Sequence, residues 1–273
     1  MNKRQRDRWI YTTLLIICMV GFWVFENFYT PGHSSSPVDD TFKTEVPSYF
    51  VPSSTGQVVN HNHYTLSYSE PHEQAEWVIY TLNKSHLTDD DRERPDFIED
   101  PYLDSKSADW RNYKGSGFDR GHLCPAGDRR FSERAYCETF YTSNISPQDT
   151  EFNAGIWNDL EKQVRAWAKR YGELYVATAG VLESGLETIG DEDVAVPRWF
   201  YKIVVRGSEK DPRVIAFLIP NLSANSSLKN YIVSVDRIEE MTGLNFFRSL
   251  PDELEQQIEA GINEKDWRFR AIH

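Results

Sequence analysis

Cysteine is scarce: three in 273 residues, too few to staple a scaffold with disulfides, so the fold must rest on a buried apolar core. Also missing is an excess of positive charge. With 30 Lys and Arg against 42 Asp and Glu, the formal net charge is −12. That excludes a protein that coats nucleic acid with its whole surface, and any polyanionic partner must meet a local basic patch. No C-x-x-C, H-E-x-x-H, G-x-G-x-x-G or G-x-x-x-x-G-K-[ST] pattern occurs, which removes the usual zinc, dinucleotide and P-loop readings. The His61-Asn62-His63 triplet has no surrounding ligand set. A composition of 40% hydrophobic, 26% charged and 14% aromatic residues rules out disorder, collagen and an all-membrane chain.

One uncharged run stands apart. Lys3, Arg4, Arg6 and Arg8 precede 17 residues without charge, Trp9 to Phe25, which is a membrane-targeting pattern. At about 1.5 Å per residue such a helix just crosses a hydrocarbon core. No A-x-A-like site follows, so an uncleaved signal anchor is expected, with a cleaved leader as the alternative. In either case the basic flank stays cytoplasmic and the rest of the chain lies outside.

Residues 29–62, with Pro31, Gly32, Pro37, Pro47, Pro52 and Gly56, read as a flexible linker, leaving 63–273 as the folded domain. Strands are predicted at Tyr64 to Tyr68, Trp77 to Leu82, Leu174 to Ala179, Trp199 to Val205 and Val214 to Ile219. Trp157, Leu160, Val164, Trp167 and Tyr171 mark a helix at three-and-four spacing. Two more helices are predicted, from Ser234 to Thr242 before Gly243 and from Ser249 to Ala260 before Gly261. Strands and helices do not alternate as βαβ units. The expected fold class is therefore α+β with a mostly antiparallel sheet and flanking helices. Of the cysteines, only Cys124 and Cys137 could pair in an oxidising exterior, the alternative being two buried thiols.

The chemistry concentrates in two stretches. From Lys106 to Arg134 there are seven basic and four acidic residues, including FDRGHLCPAGDRR, a reversal of the chain's overall charge that suits phosphate. A solvated charged loop is the plain alternative. Within it Arg120 can hold a phosphate, Gly121 permits close backbone approach and His122 can take a proton near neutrality. Asp119 can orient a neighbour or, as the simpler expectation, pair with an arginine. The second stretch is SNISPQDTEFNAGIWNDLEKQVR. Asn153 there is either a helix cap or a hard neutral ligand for magnesium. Glu161 and Arg165, four apart, suit a surface ion pair as well as a site.

Taken in order, FDRGH, Ser-Asn-Ile-x-Pro-Gln and Asn-x-x-x-Trp-x-x-Leu-Glu resemble the DNA/RNA non-specific endonucleases, over roughly residues 63 to 260. The resemblance implies a ββα-metal finger on an antiparallel sheet. It implies His122 as general base, Asn153 as the direct ligand of a magnesium-type ion (Mn2+ or another divalent cation being the alternatives), and Glu161 holding that ion's water. Arg120 and Arg165 would meet the phosphate or its developing charge. Arg111, Lys114, Arg129 and Arg130 are assigned as substrate contacts from the basic patch. Asn144 joins them as the family's Asn, in a support role. The expected activity is metal-dependent hydrolysis of DNA, and of RNA by resemblance, in an exported and tethered protein. An inert polyanion-binding module and a phosphodiesterase of small or lipid substrates are the competing readings.

Overall fold

The protein is described by a computed structural model covering residues 2–28, 46–224 and 226–270. Two units, Met1–Ser36 and Pro37–His273, are taken separately. The first contains α1 (Lys3–Phe28). Its apolar side chains from Trp9 to Phe25 are exposed, and Arg4–Phe25 is long and apolar enough to cross a membrane, a property that a signal sequence shares.

In the second unit the strands run β1 (Gln57–Asn60), β2 (Thr65–Ser69), β3 (Gln74–Leu82), β4 (Asp119–His122), β5 (Ile145–Gln148) and β6 (Leu174–Gly180). They continue as β7 (Thr188–Ile189), β8 (Val194–Ala195), β9 (Trp199–Ser208), β10 (Asp211–Pro220) and β11 (Ile232–Val233). The helices are α2 (Glu133–Glu138), α3 (Thr150–Phe152), α4 (Asn158–Tyr171), α5 (Val235–Thr242) and α6 (Asp252–Ala260), with a π-helical turn, Asn153–Trp157, between α3 and α4.

Seven strands form one sheet in the order β1-β2-β3-β6-β9-β10-β11, every pairing antiparallel. Its middle strands are apolar on both sides because both faces are covered. On one face Phe200 of β9 meets Phe152 and Trp157, and Phe217 of β10 stacks on Trp167 of α4. On the other, Tyr201 packs edge-on against Phe246, and Phe50 sits between Tyr175 and Phe247. α4 forms because Leu160, Val164, Trp167 and Ala168 recur on one buried stripe, and it stops at Gly172, whose φ of 91° excludes most side chains. β4 and β5 pair separately as a short ribbon leading into α3 and α4, which is the expected ββα element.

The predicted strands and helices all appear, with shifted ends; α6 starts at Asp252, after Pro251. One expectation differs and one open alternative closes. The residues before 63 are not all linker: Tyr49 and Phe50 are buried in the core, and β1 is the sheet's edge strand; residues 29–45 lie outside the described residues. Of the two alternatives for Cys124 and Cys137, the structure has free thiols, Cys124 buried and Cys137 half-buried. Burial pushes the Cys124 thiol up to about 12, so it behaves as a small apolar group.

Trp167 is fully buried against Trp267 and Phe217. Trp167→Ala should therefore cost about 3–5 kcal/mol, read from urea unfolding, and a loss near zero would contradict this packing.

Candidate active site

Side chains alternate along β4, so Arg120 and His122 leave from one side and Asp119 and Gly121 from the other. Gly121 leaves room for the Gln148 side chain on β5: an added Cβ would lie 2.1 Å from Gln148 Cδ, so that buried side chain would have to move. Arg120 rests its guanidinium 4.7 Å from the Phe97 ring centroid and 5.5 Å from that of Trp110. The His122 ring is 5.7 Å from Phe97 and 4.9 Å from Phe140, edge-on to the latter. Arg94 covers the same two rings at 5.4 and 5.7 Å. Two guanidiniums and one imidazole thus share an aromatic wall.

Burial, then the charge of Arg94, holds His122 down at about 3. The same two causes lower Arg120. His122 is therefore a neutral imidazole near pH 7, and its buried Nε2 has no hydrogen-bond partner among the described residues.

On the other side of the strand, Asp119 Oδ2 accepts from Asn153 Nδ2 at 3.0 Å and Oδ1 accepts from Thr150 Oγ1 at 3.0 Å. Because an ionised carboxylate only accepts, it sets the amide's orientation, leaving Asn153 Oδ1 without a hydrogen bond among the described residues. This corrects one expectation and removes one alternative. Asp119 orients a neighbour instead of pairing with an arginine, and Asn153 is not the cap. Asp149 caps the helix, accepting from the N–H groups of Glu151 and Phe152 at 2.9 and 3.0 Å. Asn153 opens the π-helical turn, which kinks at Gly155, where φ −95° and ψ −111° are not helical. Trp110, Tyr113, Lys114, Phe118, Asp119 and Arg120 line one cleft, joining the two sides of the strand at its start.

Glu161 and Arg165 do pair, at 3.2 Å, but the pair continues inward: Arg165 Nε donates to Asp128 Oδ1 at 2.5 Å, so the guanidinium expected at the phosphate is engaged by two carboxylates instead. The Glu161 side chain is only 14% exposed and that of Asp128 1%. Burial raises Glu161, and Arg165 followed by Lys202 opposes that.

Of the assigned substrate contacts, two are corrected. Arg129 is fully buried, donating to the carbonyls of Asp128 and Thr81 at 3.0 and 3.1 Å over the Tyr80 ring, so it cannot reach a polymer. Asn144 is equally buried. Its Oδ1 accepts from Cys124 N–H at 2.8 Å, and its Nδ2 donates to the Cys124 and Thr139 carbonyls, which leaves the support role alone. Arg111 pairs with Asp109 at 2.6 Å, Arg130 reaches the Asp90 carbonyl at 3.5 Å, and Lys114 is exposed on the cleft. In the His61-Asn62-His63 triplet, His61 Nε2 lies 2.9 Å from Asp100 and serves packing. The sequence reading missed Arg94, hidden in the acidic run DDDRERPDF, and the buried Asp128 and Lys202. Lys202 carried a signal, a lone charge inside WFYKIVV.

A depressed histidine also bears on stability. An unfolded histidine titrates near 6.5 while folded His122 does so at about 3. The stability it contributes is complete above about pH 6.5 and is lost as pH falls towards about 3, where the unfolded chain binds the extra proton. His122→Asn should flatten that part of the urea midpoint against pH relative to the parent; parallel curves would contradict the assignment.

The sequence model of the "DNA/RNA non-specific endonuclease" family matches residues 43–253. Nuclease EXOG, mitochondrial, from Xenopus laevis is 34% identical over 79% of this chain and 65% of its own length. Human Endonuclease G, mitochondrial, is 33% identical over 74% of this chain and 73% of its own. Nuclease C1 of Cunninghamella echinulata var. echinulata is 35% identical, covering 68% and 81%. The chain spans less than two-thirds of the length of the EXOG relatives it matches, 56–65%. A chain from the crystal structure of an EndoG/EndoGI complex superposes with a TM-score of 0.68 at 30% identity, covering 81% of this chain and 95% of that one. With the ββα element in place and the family model spanning most of the folded unit, the chain belongs to the DNA/RNA non-specific endonuclease family.

Proposed function

We propose that this protein is a metal-dependent endonuclease that hydrolyses the phosphodiester bonds of DNA and RNA without regard to sequence. The observation that carries this reading is β4 itself. Its four residues place a neutral imidazole beside two guanidiniums and, through Asp119, fix an amide whose oxygen is left free to bind.

Arg120 and Arg94 hold the phosphate oxygens, each guanidinium kept in place by its aromatic neighbours. His122 takes a proton from water at an imidazole nitrogen. Its depressed basicity suits the free enzyme, because an arriving phosphate brings negative charge that raises it. Asn153 Oδ1, with Glu161 acting through water, fits a hard cation such as Mg2+, which accepts few protein oxygens and keeps most of its waters; Mn2+ satisfies the same donors. Such an ion, when bound, supplies charge neutralisation at the phosphate and the leaving oxygen. Asp119 keeps the Asn153 oxygen turned outward, and Arg165 keeps the Glu161 carboxylate in place.

Contacts made through phosphate carry no base information and weaken as salt rises, so cleavage is sequence-tolerant and salt-sensitive. The exposed apolar α1, with Arg4, Arg6 and Arg8 at its start, acts as a membrane tether that leaves the nuclease unit outside the cytoplasm.

His122→Ala should lower plasmid cleavage about a hundred- to ten-thousand-fold with an unchanged circular dichroism spectrum. Asn153→Ala should lose activity as severely. Excess EDTA should stop cleavage while leaving the unfolding midpoint near its original value. Parental rates in either variant, or in EDTA, would overturn the reading.

A further inference from the structure

β9 sends Phe200, Lys202 and Val204 beneath α4, all fully buried. Phe200 and Val204 are what a covered sheet face calls for. An ammonium there carries a heavy desolvation cost unless specific partners offset it.

Those partners are present. Lys202 Nζ donates to Thr178 Oγ1 at 3.1 Å, the hydroxyl of its register partner on β6. It also lies 4.6 Å from the centroid of the Trp157 ring. Trp157, Glu161 and Arg165 follow at intervals of four, so they stack on one side of the helix, with Glu161 on the turn next to the ring that the ammonium touches. Glu161 and Asp128 are the two leading negative charges acting on Lys202. Asp128, Glu161, Arg165 and Lys202 form a charge-balanced group of two acids and two bases. Trp157 also closes the turn that Asn153 opens, and its ring packs on Phe152 at 5.3 Å and Phe200 at 5.6 Å. One ammonium therefore bears on the turn that carries Asn153 through the Trp157 ring, and on Glu161 by charge alone, with no ion pair between the two among the described residues.

We propose that Lys202 is a positioning residue of the active site, its ammonium, held by Thr178, supporting the Asn153–Trp157 turn from beneath against the Trp157 ring and offsetting the charge of Glu161. This rests on the roles given above to Asn153 and Glu161. Lys202 touches neither substrate nor reacting atoms and acts only through those two.

The test uses the full chain with Lys202→Met, Glu161→Gln and the double variant. The first readout is urea unfolding in EDTA, without bound metal. Lys202→Met leaves Asp128 and Glu161 facing Arg165 alone, so its midpoint should fall, and adding Glu161→Gln should recover most of that fall. Additive losses would reduce Lys202 to a packing residue and overturn the proposal. The second readout is plasmid cleavage against Mg2+ concentration. Lys202→Met should lose about 10- to 100-fold in kcat, as expected for a residue supporting a metal-site ligand, with a higher half-saturating Mg2+ and little change in KM for DNA. A parental rate throughout the titration would also overturn it. If the Met variant does not fold, Lys202→Gln, which keeps the bond to Thr178, takes its place, with Lys202→Arg as the charge-preserving rescue. Full activity in Glu161→Gln would instead remove the role given to Glu161, whereas an impaired Glu161→Gln beside an unimpaired Lys202→Met would remove Lys202 alone.

Discussion

A single carboxylate joins the two halves of the site. Asp119 belongs to the strand that carries Arg120 and His122, and its two oxygens reach across to Thr150 and Asn153 at the start of the helix. That bridge adds a side-chain link to the β4–β5 pairing and to the chain itself, which passes from β5 into α3, in setting the spacing between imidazole and amide. The bridge also makes the two ends of the amide inequivalent. The nitrogen is engaged, so the oxygen is the end presented outward, which is the end a hard cation requires.

Electrostatics divides the site into an outer and an inner part. On the outer part, Arg94 and Arg120 gather at Phe97 with His122, and their mutual repulsion, added to burial, lowers the affinity of Arg120 and His122 for protons. An anion relieves that repulsion, so the cluster suits a phosphate within a chain whose net charge is −12. On the inner part, Arg165 and Lys202 balance Asp128 and Glu161 among apolar neighbours. The outer charges are all of one sign, whereas the inner ones offset one another beneath α4.

The main sheet was legible because its strands are long apolar runs and its helices end at glycines, as α4 does at Gly172 and α5 at Gly243. The ordered motifs located the ββα element, although Asp-Arg-Gly-His carries no strand pattern; pairing with β5 makes it one. What stayed hidden was burial. Arg129 and Arg130 are neighbours of identical chemistry, yet one is wholly enclosed over Tyr80 and the other is not, and no spacing rule separates them. Arg94 was obscured by surrounding acids, and it takes its place only because the chain brings Phe97 beneath the ribbon. The later part of the expected linker, from residue 46 on, was misjudged for a related reason: its prolines mask Tyr49 and Phe50, which fill the core beside Phe247.

The central claim, that His122 and Asn153 address one bound cation, is tested most directly by paramagnetic broadening. Substoichiometric Mn2+ is added to isotope-labelled protein, with the His122 ring and Asn153 amide resonances assigned by their loss in the His122→Asn and Asn153→Ala variants. Both sets of resonances should broaden together, and the His122 effect should vanish in Asn153→Ala. Broadening of Asn153 with a sharp, unperturbed His122 would contradict the account.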